Sequence, residues 1–160
     1  YIDTYQEYQK HLDALLKALH ETVERLQDTL IYDQICLLQS LRGIGFLSAV
    51  VLIAEMGDFK LFSSPKKLYA YFGLDPAVKQ SGKLNGDKVH MSKRGSPYLR
   101  RAIWLAATIA AFKDPSISVY YQRKRSEGKS HLTALGHVSR KMVNIIFAVL
   151  RDNTPYSPAI

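Results

Sequence analysis

At three places in this chain a side chain suited to capping a helix stands directly before a proline that opens a run of helical sequence: Ser64-Pro65, Ser96-Pro97 and Asp114-Pro115. Proline has a fixed φ and no N–H to give, so inside helical sequence it is tolerated only in the first turn. Each pair therefore marks a helix start. After Pro65 the helix KKLYAYFG ends at Gly73, with Leu68, Tyr71 and Phe72 expected to pack inward. After Pro97 the run YLRRAIWLAATIAAF is expected to bury Leu99, Ile103, Leu105 or Ala106, and Ala110. SISVYYQRKRSEG follows Pro115 and ends at Gly128. A further helix is expected from about Ser130 to Arg151, with Leu132, Leu135, Val138, Met142, Ile145, Ile146 and Val149 at helical spacing. The tail DNTPYSPAI is expected to fray.

The first thirty residues carry Leu12, Leu15, Leu16, Leu19, Val23, Leu26 and Leu30 in steps of three and four, with no Gly or Pro. That spacing predicts one long helix over 2–31 with a charged opposite face. Its stripe packs either on its own domain or in a coiled coil with another chain, which makes homo-oligomerisation through this helix an expectation. The fold class that follows is mainly all-α. A coiled-coil or linker helix over 1–32 precedes a compact helical domain over 33–155 and a short tail over 156–160. The chain opens YIDTYQEYQKHLD, without Met and without the basic-then-apolar start of a secretory leader, and reads as a piece of a longer protein. No apolar run approaches the roughly 20 residues of a membrane span, and a cytoplasmic location fits.

Between Leu37 and Gly57 two apolar segments flank Gly43-Ile44-Gly45. The pattern resembles a helix-hairpin-helix, in which Gly-hydrophobic-Gly lets backbone N–H groups approach a DNA phosphate at a helix N-terminus. A plain helical hairpin, whose glycines serve only the turn, accounts for it equally well. The single cysteine, Cys36, excludes an internal disulfide and reads as a small buried hydrophobe.

The net charge of +8 has one address. Lys60 to Arg101 holds ten Lys or Arg against two acids, Asp75 and Asp87, and the remaining residues balance. A polyanion is the partner this implies, nucleic acid before an anionic membrane surface, because the charge sits in a Gly-containing loop and not on an amphipathic helix. From Leu74 to Lys93 nothing has helical period. Turn signals at Ser81-Gly82 and Asn85-Gly86 suggest an ordered loop or a short irregular β-ribbon. Lys66 and Lys67 lie in a first helical turn, where the macrodipole disfavours cations unless a phosphate is near. Arg123, Lys124, Arg125, Arg140 and Lys141 form a second basic set, by default a solvated face. No carboxylate or imidazole cluster suggests a metal site, and no P-loop is present. Ser81 has Lys79, Lys83, Lys88 and His90 nearby in sequence, yet a serine in a glycine loop is ordinarily a solvated turn residue.

Several motifs occur together and in order: LRGIGFLSAVVLIAEMGD, YAYFGLDP, QSG, MSKRGSPYLRRAIW and RKMVNIIFAVL. From about Leu38 to Pro155 the chain thereby resembles the C-terminal transposase domain of DEDD-type insertion-sequence transposases of the IS-one-ten class, which are bridge-RNA-guided recombinases. The family's full protein adds an N-terminal RuvC-like domain with four metal-binding acids and a coiled-coil segment. Its catalytic serine lies ten residues before the Met-Ser-Lys motif, which is Ser81 before Met91 here. The resemblance implies that Ser81 attacks a DNA phosphodiester. It implies Mg2+ held by the RuvC-like acids, no cofactor held by this chain itself, and DNA and a guide RNA as partners. The residues expected to contact nucleic acid are Gly43, Gly45, Lys79, Lys83, Lys88, Lys93, Arg94, Arg100 and Arg101. A non-catalytic nucleic-acid-binding or assembly module is the competing reading.

Overall fold

The computed structural model describes the backbone of residues 1–77, 80–81, 84–85 and 90–158, and side chains over 1–75 and 91–158. Lys79, Lys83 and Lys88, together with Gly82 and Gly86, lie outside the described residues. The chain divides into two compact units, Tyr1–Gln34 and Ile35–Ile160.

In the first unit, α1 (Ile2–Glu24) is shorter than the spacing of apolar residues predicts. The helix is broken at Asp28, which takes a left-handed φ of 68°. Thr29 is the physical reason: its Oγ1 donates to the Leu26 carbonyl at 2.6 Å and accepts from the Tyr32 N–H at 3.4 Å. A short hydroxyl side chain that bonds nearby backbone in this way ends one helix and caps the next. α2 (Leu30–Gln39) then begins. On α1, Tyr5, Tyr8, Leu12 and Leu15 are exposed.

The second unit is built around α5 (Pro97–Lys113), which packs against α3 (Phe46–Met56), α6 (Pro115–Ser126) and α7 (His131–Asp152), while α4 (Pro65–Tyr71) packs on α7. The three Pro-marked starts are capped as their chemistry requires. Ser64 Oγ accepts from Lys67 N–H, Ser96 Oγ from Tyr98 and Leu99 N–H, and Asp114 Oδ1 from Ile117 N–H. Each such cap contributes about 1 kcal/mol. Small residues Ala102, Ala106, Ala107, Ala110 and Ala111 give α5 a buried face on which neighbouring helices approach closely. Ile103 of α5 and Leu135, Val138, Met142 and Ile146 of α7 are buried, each stabilising by roughly 1.5–3 kcal/mol through burial.

Several inward assignments differ from expectation. Leu99, Ile103, Ala106 and Ala110 are buried, but Leu105 is half exposed, so Ala106 takes the core position. Tyr71 is largely exposed and donates its hydroxyl to the Glu55 carbonyl at 3.2 Å, while Leu68 and Phe72 are buried. Leu132 stays outside, one turn before the buried face of α7 begins. Cys36 is exposed, because Ile35, Leu37 and Leu38 occupy the inner face of α2. The tail is docked as far as Tyr156, whose N–H donates to Ser40 Oγ at 2.8 Å and whose hydroxyl donates to buried Asp114 at 3.3 Å.

Between α4 and α5 the chain makes two short antiparallel pairs. β1 (Pro76–Ala77) pairs with β4 (His90–Met91), and β2 (Gln80–Ser81) pairs with β3 (Leu84–Asn85). Asn85 stands opposite Gln80 inside the second pair, so its hairpin propensity does not mark a turn between those strands.

Candidate nucleic-acid interface

The β1–β4 pair lies between α4 and α5 in the chain, and its foot is a tight backbone crossing. Gly95 has a φ of 112°, and a Cβ there would lie 2.1 Å from the Tyr71 carbonyl oxygen. No side chain fits, so the crossing depends on glycine. Ser92 N–H donates to the Asp75 carbonyl at 2.8 Å and Lys93 N–H to the Gly73 carbonyl at 3.1 Å. Ser92 Oγ also donates to the Asp75 carboxylate. Two arginines from the helical body hold the same segment. Arg140 of α7 donates Nε–H to the Leu74 carbonyl at 2.8 Å, and Arg100 of α5 donates to the Phe72 carbonyl at 3.4 Å. The ribbon therefore starts from a fixed base.

Ser96 does two jobs at the start of α5. Its hydroxyl accepts from the helix N–H groups and donates to Glu55 Oε2 of α3 at 2.6 Å. A carboxylate at the positive end of the α5 dipole is favourable. This bond fixes the turn from which Arg100 and Arg101 project.

Of the cations expected to meet nucleic acid, Lys93, Arg94 and Arg101 are exposed and Arg100 is half-buried. The ion pairs among the described residues, Arg123–Glu127, Lys124–Glu127 and Arg151–Asp152, involve none of them. Lys93, Arg100 and Arg101 come together around a pocket of about 390 Å³, whose other walls are Met91, Pro97, Trp104 and Leu105. Ser81 ends β2 opposite Leu84.

Gly43 and Gly45 differ. Gly43 has a φ of 102°, and a Cβ on it would fall 2.4 Å from the Ala106 carbonyl oxygen of α5. Its missing side chain is explained by that close approach. Gly45 is exposed at the N-cap of α3, with nothing within 4 Å of a Cβ. The structure does not gather this turn with the arginines: Ala106 lies about 8 Å beyond Arg101 along the α5 axis.

The second basic set is organised otherwise. Arg123, Lys124 and Lys141 surround the Tyr120 ring at 5.1, 5.6 and 5.9 Å. Lys124 Nζ donates to both Glu127 oxygens. Burial holds the nearby His137 below the usual histidine range, and Lys124, Arg140 and Lys129 push in the same direction.

Sequence reasoning missed Glu55 and Trp104, and it assigned Arg140 to a solvated basic face, whereas Arg140 is half-buried on the Leu74 carbonyl. Glu55 and Arg140 carry no local signal, since what each holds lies 41 and 66 residues away. Trp104, the only tryptophan, sits in a helix whose buried stripe drew attention from its other side. Among the described residues no three His, Cys, Asp or Glu side chains converge as a metal site, and no helix is long and apolar enough to cross a membrane.

A helical body whose α4–α5 segment is braced at its base, beside exposed cations with no acidic partner among the described residues, defines a class of helical domain with one strongly basic edge. Residues 36–122, more than half of the chain, match the model of the Transposase IS116/IS110/IS902 family, and the chain belongs to that family. It is 38% identical over 120 residues to the Insertion element IS110 uncharacterized 43.6 kDa protein of Streptomyces coelicolor, covering 74% of this chain and 29% of that protein. It is likewise 38% identical over 121 residues to the Insertion element IS900 uncharacterized 42 kDa protein of Mycobacterium paratuberculosis, covering 75% and 30%. The Pilin gene-inverting protein of Moraxella bovis is 31% identical over 125 residues, 78% of this chain and 39% of that protein. The chain thus spans less than two fifths of the length of these relatives.

Proposed function

We propose that this segment binds DNA and supplies the serine nucleophile for strand cleavage and exchange by a longer transposase. The observation that carries the reading is that Ser81 lies in the short β2–β3 pair, in the segment between α4 and α5 whose braced end carries exposed cations with no acidic partner among the described residues. Family membership and the inverting activity in a relative's name point the same way. In the proposed step Ser81 Oγ attacks a DNA phosphorus. The Oγ–P bond forms as one P–O ester bond breaks, the leaving strand's oxygen takes a proton, and the Oγ proton passes to a base or to water. A hydroxyl of the incoming strand later attacks the phosphoserine, joins the strands and restores Ser81. Lys93, Arg94 and Arg101 attract the polyanion, and cations near the scissile phosphate offset charge developing on its oxygens. Lys79, Lys83 and Lys88 are assigned to the same role from sequence.

The metal half of the site belongs, on this reading, to a RuvC-like domain outside this chain, where acids would hold Mg2+ and supply Lewis-acid chemistry. A guide RNA as second partner, pairing of protomers through α1, and a cytoplasmic location complete the proposal. The open N-cap at Gly45 favours a supporting contact between α3 and a DNA phosphate. It also keeps alive a second reading, a binding module in which Ser81 is only a turn residue.

The test is Ser81→Ala in the full-length protein with its RNA. Covalent protein–DNA adduct and strand exchange are expected to vanish while DNA binding persists. Strand exchange that continues, with no adduct ever formed by the unmutated protein, would select the binding module.

A further inference from the structure

The pocket at the foot of the ribbon has a composition that phosphate binding alone does not require. Three of its seven walls are cationic, Lys93, Arg100 and Arg101, and the other four are apolar: Met91, Pro97, Trp104 and Leu105. Phosphate needs the cations only. An indole, a proline ring and two flexible apolar chains make a surface that water leaves readily and that a flat, uncharged ring covers well. Cations beside an aromatic wall are the combination that recognises a nucleobase joined to its own phosphate, with stacking on the indole and charge pairing beside it.

Two further observations indicate that the cationic wall is built and not incidental. Lys93 adopts a left-handed φ of 53°, a region that costs a side-chain-bearing residue roughly 1 kcal/mol and that Gly or Asn occupies more easily. The crossing beneath it needs Lys93 only through its backbone N–H, which glycine also provides. The lysine side chain is the part left unexplained by folding, and it lines this pocket. Arg100 is anchored by its bond to the Phe72 carbonyl, so its guanidinium is held at the wall before any ligand arrives. The cavity volume of about 390 Å³ is within the range of roughly 300–1,000 Å³ typical of small-molecule sites.

We propose that this pocket receives one unstacked nucleobase of a nucleic-acid strand, stacked against Trp104, with the adjoining phosphates held by Lys93 and Arg101. The proposal rests on the DNA-binding reading for the identity of the polyanion and adds that one base is taken out of its stack. The pocket wall Met91 is the register partner of Pro76, next to Ala77. Ser81 is four residues beyond Ala77, at most about 14 Å of extended chain. The pocket and the serine are thus joined by a short length of chain.

Trp104 is the only tryptophan of the chain, so its fluorescence reports on the pocket directly. The unmutated chain is titrated with oligothymidylate, with the same strand in duplex with oligodeoxyadenylate, with an abasic strand of equal length and charge, and with oligouridylate. Oligothymidylate or oligouridylate is expected to quench Trp104 and to bind roughly 5- to 100-fold tighter than the abasic strand. The tighter of the two identifies DNA or RNA as the source of the base. The duplex is expected to quench weakly. Trp104→Ala is expected to remove the preference for bases and Trp104→Phe to keep most of it. Equal binding of abasic and base-bearing strands by the unmutated chain overturns the proposal, as does equal quenching by duplex and single strand, or no binding of either single strand. None of these readouts involves cleavage, so loss of the Ser81 assignment would leave the pocket standing, and the reverse.

Discussion

Two surfaces of this domain carry several cations each, and they are built on opposite plans. Around Tyr120 the charges answer one another. Lys124 is bonded to Glu127, Arg123 approaches the same carboxylate, and the aromatic face serves Arg123, Lys124 and Lys141 together. At the foot of the ribbon the arrangement is reversed. Arg100 and Arg140 hold backbone carbonyls in place, and Lys93, Arg94 and Arg101 are exposed with no acidic partner among the described residues. A cation already paired has less to gain from a phosphate than an unpaired one. Counting charges along a sequence does not separate these cases, whereas asking what each charge is bonded to does.

The contrast is open to attack at several points. The largest effect is expected from Gly95→Ala, which forces a Cβ against the Tyr71 carbonyl at a left-handed φ. Its cost should be roughly 2–4 kcal/mol, read as a lower denaturant midpoint at unchanged slope. Arg140→Ala should cost roughly 1.5–3 kcal/mol in the same measurement, because it strips a charged donor from the part-buried Leu74 carbonyl. Lys141→Ala, on the Tyr120 surface, should stay within about 0.5 kcal/mol. Equal losses for these two would erase the distinction between an anchoring and a solvated cation.

Binding sharpens the comparison further. Arg101→Ala should lower DNA affinity and reduce the slope of log affinity against log salt by about 1. Arg123→Ala should leave that slope unchanged; a comparable drop would mean that both surfaces track phosphate. The smallest effect concerns pH. His137 is held below its ordinary value in the folded state, so between that lowered value and about 6.5 the unfolded chain binds more protons. Stability from this group is present above about pH 6.5 and is lost as pH falls through the folded value. His137→Gln should flatten the decline in stability between pH 7 and 5, by a modest amount because the ring is only partly buried.

Much of the helical layout is legible in the sequence. Ser64, Ser96, Asp114 and Ser130 each cap through a backbone N–H two or three residues on. Such bonds lie wholly within a few residues, so residue type and order suffice to read them. The missed break at Thr29 is of the same local kind and was hidden by the leucine spacing that runs across it. The family was legible too, because its motifs recur in order over most of the chain.

Convergence in space was not legible. Ser96 meets Glu55 across 41 residues, Arg140 meets Leu74 across 66, and Tyr156 meets Ser40 across 116. Each is a single bond whose partner is chosen by how α3, α5 and α7 pack, and many side chains along the chain have the right chemistry to be that partner. The same packing gave Ala106 the core and left Leu105 at a pocket wall, although hydrophobicity alone favours Leu105 for the interior. It also set Gly43 against the α5 backbone, a close approach that the Gly-Ile-Gly pattern permits but cannot reveal. Helix starts are local contests between a side chain and the nearest amides, and sequence decides them. Which cations are spent on carbonyls and which remain free is a contest among distant parts of the chain, and only the packed structure decides it.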